Sequence, residues 1–186
     1  MKKKIIASAI ALVTFSGVVN AAPNLNAGTL NLDFSGTVST TTCALDPTVN
    51  GISGKNEIAL GQTEKGTKGI EVDVVFKPTA ASATACAGAA SDFVMQWGGV
   101  GSNFESKKGL KAKDGSTASD AYVQIKAVNA KADGNNNLMA DTDNFQYTFA
   151  KDKVSLAEGL KYKVNLLGGQ TVGDMTATAQ VNHWYK

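Results

Sequence analysis

The sequence contains no arginine, a single histidine and only two cysteines among its 186 residues. Without arginine, the bidentate guanidinium contacts that read base edges are unavailable, which disfavours a nucleic-acid partner. The single histidine, His183, would have to serve any Ser–His–Asp or Cys–His relay from a position near the end of the chain. Asp141 and Asp143 lack the completed loop with a distant Glu that a calcium site uses. We therefore predict a protein that is not an enzyme and that holds no metal or cofactor.

The N-terminal residues have the layout of a secretory signal peptide. Three lysines, Lys2–Lys4, precede the apolar stretch Ile5–Val19, and Val19 and Ala21 stand at positions −3 and −1 of a cleavage site. The alternative is a membrane anchor, but the stretch is shorter than the roughly 20 residues that a spanning helix needs. We predict that residues 1–21 are a signal peptide, with slippage of the cleavage to Ala22 as a variant.

Export changes how the charges and the cysteines are interpreted. Removal of three lysines takes the chain from a net charge of +2 to near neutrality, so no global basic field remains. In an exported chain, an even pair of cysteines indicates a disulfide, here between Cys43 and Cys86. Free thiols or a redox site are the alternatives, but the sequence has no C-x-x-C motif and no metal-ligand spacing. We predict a structural disulfide.

The remainder of the chain has short alternating or β-branched runs separated by Gly, Asn, Asp, Ser and Thr clusters. This pattern is typical of an all-β sandwich or barrel. The predicted strands are Leu30–Val38, Glu57–Leu60, Ile70–Phe76, Phe93–Trp97, Tyr122–Val128, Phe145–Phe149, Leu160–Leu166 and Met175–Tyr185. The Ala-rich stretch Ala80–Ala90 could hold a short helical turn, but Gly88 and Cys86 favour a loop that leads into a strand. Ser155–Glu158 is a candidate for a single helical turn.

Two of these strands are unusual. In the first, Leu30, Leu32, Phe34, Gly36 and Val38 alternate strictly with polar residues before the first cysteine. The second reaches the C-terminal end, with Met175, Ala177, Ala179, Val181, His183 and Tyr185 on one face. A long regular strand at the end of a chain forms an exposed edge or pairs with another molecule.

Together these features resemble the chaperone–usher pilins, the fimbrial subunits of type 1 and P pili. The resemblance covers nearly the whole chain after residue 21. It is carried by the alternating segment with Gly36, the cysteine spacing, Ile58-Ala59-Leu60-Gly61-Gln62, Gly173 as the fourteenth residue from the end, and the penultimate Tyr185. The segments Cys43–Gly51 and Phe93–Gly98 are most similar to major shaft subunits of type 1-like and enterotoxigenic fimbriae.

The resemblance implies an incomplete immunoglobulin-like β-sandwich that is completed by donor-strand exchange. Residues 22–39 would then be an N-terminal donor extension and residues 40–186 the pilin domain. Leu30, Leu32, Phe34, Gly36 and Val38 would enter the groove of a neighbouring subunit, with Gly36 at a pocket that accepts no side chain. The strand Gly173, Met175, Ala177, Ala179, Val181 and Tyr185 would border the groove and pair with a periplasmic chaperone. The implied partners are identical or related pilins, this chaperone and an outer-membrane usher, and the implied location is a surface fimbria.

The sequence allows two interpretations each for a group of lysines and for a tryptophan near the C-terminal end. Lys107, Lys108, Lys111 and Lys113 form either a solvated loop or a contact for acidic host glycans. Trp184 packs either against another subunit or over the opposite face of its own sheet. The function implied is a structural subunit that supports adhesion to host cells, and the alternative is a minor adaptor or adhesive subunit that binds acidic glycans. A tip adhesin usually carries an additional lectin domain, for which this length leaves no space.

Overall fold

The computed structural model describes residues 43–98 and 101–186. The predicted signal peptide, residues 1–21, and the predicted donor residues Leu30, Leu32, Phe34, Gly36 and Val38 lie outside the described residues. Their roles therefore stay predictions. In the part of the chain that is described, no helix is long and apolar enough to cross a membrane.

The described residues form two antiparallel sheets. The strands are β1 (Leu45–Val49), β2 (Ile52–Ser53), β3 (Val72–Pro78), β4 (Phe93–Trp97), β5 (Phe104–Glu105), β6 (Gly109–Lys111), β7 (Tyr122–Ala127), β8 (Phe145–Phe149), β9 (Leu160–Leu167) and β10 (Val181–Tyr185). The larger sheet has the order β2-β1-β3-β9-β7-β6-β5 and the smaller the order β10-β4-β8. A short helix, α1 (Ala83–Ala87), and a 3₁₀ turn, Lys151–Lys153, complete the described elements.

The core lies between the two sheets because apolar side chains alternate along the strands. In β3, Val72 and Val74 are buried while Asp73 between them is exposed, since successive side chains of a strand point to opposite faces. In the smaller sheet, residues that are paired across the strands face the core together. For example, Phe93 of β4 is paired with Tyr185 on one side and with Phe149 on the other. The predicted all-β fold class is confirmed.

Tyr162 of β9 is the centre of an aromatic cluster that joins the sheets. Its ring is fully buried and lies 5.4 to 5.7 Å, centre to centre, from four rings in mostly edge-to-face arrangements: Phe76, Trp97, Tyr147 and Phe149. Such aromatic pairs contribute about 0.5–1.5 kcal/mol each beyond the area they bury. This cluster therefore fixes how the smaller sheet sits on the larger one.

Three local predictions differ from the structure. Ala83–Ala87 is a helix rather than a loop leading into a strand; three of its five residues are alanine, the strongest helix former, and it ends before Gly88. Leu45–Val49 is a strand that was not predicted, with Pro47 within it. The third difference concerns Glu57–Leu60 and Met175–Gln180, which were predicted as strands. Neither segment is paired with another strand in a sheet among the described residues.

Candidate functional site

The two chain segments without a ladder partner face each other across an open groove. The groove has a volume of about 1220 Å³ and is bordered by residues 55–65 on one side and 171–181 on the other. Phe76, Trp97, Ile125, Val164 and Leu166 contribute to its apolar lining. Core side chains thus line the groove along one edge of the sandwich.

The first edge of the groove is the extended segment Asp174–Val181. Met175, Ala177, Ala179 and Val181 are half-buried and pack against the core, whereas the residues between them are exposed. These four side chains line the groove, whereas Tyr185, which was predicted to border it with them, is not among its lining residues; pairing of this strand with a chaperone stays a prediction.

The backbone of this first edge is bonded on its outer side. The loop between β6 and β7 donates N–H groups to it: Lys113 bonds the Thr176 carbonyl at 2.7 Å and Ala118 bonds the Asp174 carbonyl at 3.0 Å. Because the backbone groups of alternate residues in an extended strand point to opposite sides, those of Met175, Ala177 and Ala179 are directed toward the groove. Within the described residues these groups form no backbone hydrogen bond. They are available to a strand that enters the groove.

Gly173 immediately precedes this edge, and the structure explains why a glycine stands there. Its φ of +147° is a conformation that residues with a side chain rarely adopt. A Cβ atom at this position would also overlap the side chain of Thr117 in the loop between β6 and β7. The glycine therefore lets the chain approach that loop closely and turn into the groove.

The second edge is Asn56–Thr63, in which Ile58 and Leu60 are half-buried and pack against the core. Across the part of the chain that the structure describes, the backbone groups of this segment form no mutual or ladder hydrogen bonds. The Leu60-Gly61 pair belongs to the motif that resembled pilins, and Gly61 has a φ of +71°. Both edges can therefore accept main-chain hydrogen bonds from one inserted strand.

Two buried polar atoms lie in the aromatic cluster next to the groove. Trp97 lines the groove, and its indole N–H and the hydroxyl of Tyr162 are buried without a well-directed hydrogen bond among the described residues. Burial raises the pKa of Tyr162, and the neighbouring Trp97 indole opposes this shift to a smaller extent. The phenol of Tyr162 therefore stays uncharged.

The C-terminal strand β10 is fixed to the disulfide. Cys43 and Cys86 are bonded, as predicted, with their Cα atoms 5.1 Å apart. His183 Nε2 lies 2.8 Å from the Cys43 carbonyl oxygen, and the Tyr185 hydroxyl donates to the Cys86 carbonyl at 2.9 Å. The Tyr185 ring also packs edge-to-face on the buried Phe93, 4.9 Å between ring centres. Partial burial raises the pKa of Tyr185.

The four lysines of the predicted glycan contact are not equivalent. Lys108 pairs with Glu105 and lies 5.1 Å above the Tyr122 ring, and the Lys108 bond holds the pKa of Glu105 below its usual value. Lys107 and Lys113 are exposed, and Lys111 is half-buried on β6. Binding of acidic glycans by Lys107, Lys108, Lys111 and Lys113 stays a prediction.

The sequence did not indicate the residues that hold the first edge from outside. Ser116, Thr117, Ala118 and Asp120 lie in the Gly- and Ser-rich stretch between β6 and β7, which reads as an ordinary solvated loop. Their only sequence signal is a run of Asp, Ser and Thr, the residues that commonly bond nearby backbone groups. Their importance depends on the tertiary approach of residues 170–176.

Fold and groove define the class of protein: a two-sheet antiparallel β-sandwich with an open groove, lined by core side chains, along one edge. No model of a known protein family matches the sequence. The F107 fimbrial protein of Escherichia coli is 30% identical over 187 residues, which cover 100% of both chains. The K99 fimbrial protein of Escherichia coli is 27% identical over 185 residues, or 96% of each chain.

This chain belongs to the family of fimbrial subunits, as its resemblance to pilins predicted. Among solved structures, the P pilus rod subunit PapA is similar at 15% identity, covering 85% of this chain and 100% of that one, with a TM-score of 0.43.

Proposed function

We propose that this fimbrial subunit polymerises by donor-strand exchange and forms the structural body of a surface fimbria that supports adhesion to host cells. The observation that carries the proposal is the open apolar groove between residues 55–65 and 171–181. Core side chains line this open groove between two unpaired backbone edges, and an extended strand is the partner that such edges fit.

The sequence supplies a suitable strand. In the segment Leu30–Val38, one face carries Leu30, Leu32, Phe34 and Val38, with Gly36 between the last two. Burial of the four larger side chains would contribute about 1.5–3 kcal/mol each, before the cost of ordering the segment is subtracted. Main-chain hydrogen bonds to both groove edges would give affinity, and the alternate side chains would set the register.

The same open apolar groove accounts for the proposed partners. Before another subunit arrives, the groove would favour aggregation. We propose that a periplasmic chaperone fills it with a strand of its own along Gly173, Met175, Ala177, Ala179, Val181 and Tyr185, and that an outer-membrane usher exchanges this strand for the next subunit's donor segment. In this role the chain is a structural protein and not an enzyme.

Matched substitutions in the donor segment test the proposal in cells that express the chain with its chaperone and usher. Gly36→Leu places a side chain on the face that enters the groove, whereas Ser35→Leu places the same side chain on the opposite face. We expect Gly36→Leu to abolish fibres and Ser35→Leu to leave them, as counted by negative-stain microscopy, with comparable amounts of subunit in the periplasm. Normal fibres from Gly36→Leu would contradict donor-strand exchange.

A second pair of variants tests the groove, which receives the donor strand in this proposal. Ala179→Arg introduces a charge on the half-buried groove face, and Gln180→Arg introduces the same charge on the exposed face of the same segment. Only Ala179→Arg is expected to prevent assembly. Equal assembly of the two variants would show that this groove does not receive the donor strand.

A further inference from the structure

One end of the groove is closed by a set of hydrogen bonds centred on Asp120. The two carboxylate oxygens of Asp120 accept N–H bonds from consecutive residues, Gln170 at 2.7 Å and Thr171 at 3.1 Å. A Cβ atom on Gly169 would overlap this carboxylate, so the chain passes directly against it. We call Asp120 with residues 168–171 the Asp120 clasp.

The clasp also reaches the other edge of the groove. The N–H group of Gly66 lies 3.1 Å from the carbonyl oxygens of both Gly168 and Gly169, and Gly168 donates to the Thr67 carbonyl at 2.9 Å. A Cβ atom on Gly168 would overlap the Glu64 carbonyl oxygen. Residues 64–67 follow the second edge, and residues 168–171 precede the first. The separation of the two edges at this end therefore depends on how residues 168–171 are held.

The charge of Asp120 is satisfied by backbone groups. Among the ion pairs of the described residues, none involves Asp120. The hydrogen bond from Gln170 is the main cause of a pKa below the usual value for this carboxyl, and the bonds from Thr171 act in the same direction. The carboxylate thus acts as a fixed anchor for two backbone amides.

We infer that Asp120 is a positioning residue for strand uptake: its clasp keeps the two edges of the groove at the spacing that admits one extended strand. The inference rests on the proposed function, because it explains why the same groove is able to take up a donor strand. Without the carboxylate, Gln170 and Thr171 lose their anchor, and residues 170–173 are free to move toward or away from the groove, while Gly168 and Gly169 keep their bonds to residues 66 and 67. An incoming strand then has to order this end before it can bind, which slows its entry.

The test measures uptake of a synthetic peptide with the sequence of residues 28–40 by the mature chain, residues 22–186, during refolding with an excess of labelled peptide. Asp120→Ala removes the anchor. Asp114→Ala is the control, because Asp114 lies in the same loop, is exposed, and forms no side-chain hydrogen bond within the described residues. Asp120→Ala removes two hydrogen bonds to a charged group, so we expect it to slow association by about tenfold or more, and we expect Asp114→Ala to leave the rate within a factor of two.

Shorter peptides separate a positioning role from a general loss of stability. A peptide of residues 28–35 and one of residues 33–40 would each occupy one half of the groove. A clasp at one end should make Asp120→Ala slow one of these peptides and spare the other. Equal slowing of both peptides would show global destabilisation and would overturn the inference.

The remaining outcomes are also decisive. If the unmodified chain takes up the peptide and Asp120→Ala takes it up at the rate of Asp114→Ala, the inference is wrong and the proposed function stands. If the unmodified chain takes up no peptide, the proposed function fails and the inference with it. Should Asp120→Ala fail to fold, Asp120→Asn replaces it, since the amide keeps the shape and one acceptor oxygen but loses the charge.

Discussion

The hydroxyl group of Tyr185 donates a 2.9 Å hydrogen bond to the carbonyl oxygen of Cys86, one of the two disulfide-bonded cysteines. The last strand of the fold is thereby attached to the covalent bridge that closes residues 43–86. Any substitution at Tyr185 has to be judged on two contacts, this hydrogen bond and the packing of the ring on Phe93.

The first prediction separates these two contacts of Tyr185. Tyr185→Phe keeps the ring and loses the hydrogen bond, so we expect the free energy of unfolding to fall by about 1 kcal/mol. Tyr185→Ser loses both contacts and should cost more and lower the periplasmic yield. Trp184→Ser, on the opposite face of the strand, is the control and should leave the yield unchanged. Denaturant titration and the amount of chaperone-bound subunit are the measurements.

The disulfide gives the second prediction. The sequence separation of 43 between the two cysteines implies a stabilisation of about 4 kcal/mol in the chain-entropy model. Replacement of both cysteines by alanine should lower the free energy of unfolding by roughly this amount. Hydrogen exchange in residues 181–185 should rise at the same time, because the Cys43 and Cys86 carbonyls that hold His183 and Tyr185 lose their fixed positions. Unchanged exchange there would contradict the attachment.

Acid should weaken the Asp120 clasp. Hydrogen bonds from Gln170 and Thr171 lower the pKa of Asp120 in the folded state below the reference value of 3.8. A carboxyl whose pKa is lower in the folded state stabilises the fold fully above its unfolded pKa, and this stability is lost as the pH falls through the folded pKa.

The third prediction follows from this linkage. The difference in unfolding free energy between the unmodified chain and Asp120→Asn should be constant at neutral pH and should shrink below about pH 4. Denaturant titrations from pH 2 to pH 7 measure it. A difference that does not change with pH would show that the charge of Asp120 does not contribute.

The fourth prediction concerns the buried hydroxyl of Tyr162. Since this group lacks a well-directed partner among the described residues, Tyr162→Phe removes a desolvated polar atom and keeps the four aromatic contacts. We expect the free energy of unfolding to stay equal or to rise by up to about 1 kcal/mol. Tyr147→Phe is the matched comparison, because the Tyr147 hydroxyl bonds the Leu138 carbonyl at 2.8 Å and the Ile125 carbonyl at 3.0 Å; it should be destabilising.

The sequence predicted the buried strands well and the groove edges only in part. Phe93–Trp97 and Phe145–Phe149 have the predicted bounds, because their alternating apolar residues face a core supplied by the same chain. The alternation in Met175–Val181 correctly gave the direction of the side chains. It could not show that residues 175–180 lack a ladder, since alternation reports which face is apolar and not which backbone groups are paired.

Two other features could not be predicted from sequence patterns. Leu45–Val49, a strand that was not predicted, contains Pro47, which cannot donate to a ladder and is uncommon within strands; the structure nevertheless pairs Pro47 with Phe76 of β3. The Asp120 clasp joins residues 50 positions apart in the sequence. A local pattern contains no information about such a contact, which arises only when β7 and β9 are packed side by side.

The groove is lined by one part of the chain and, in our proposal, filled by a different part of another copy. A contact between two unlike surfaces cannot close on itself as a twofold dimer does, and repetition of it produces an open filament. Every such filament has a direction: one terminal subunit offers an unfilled groove and the other an unused donor segment. The two ends therefore require different chemistry, and a molecule that caps one end would leave growth at the other unaffected.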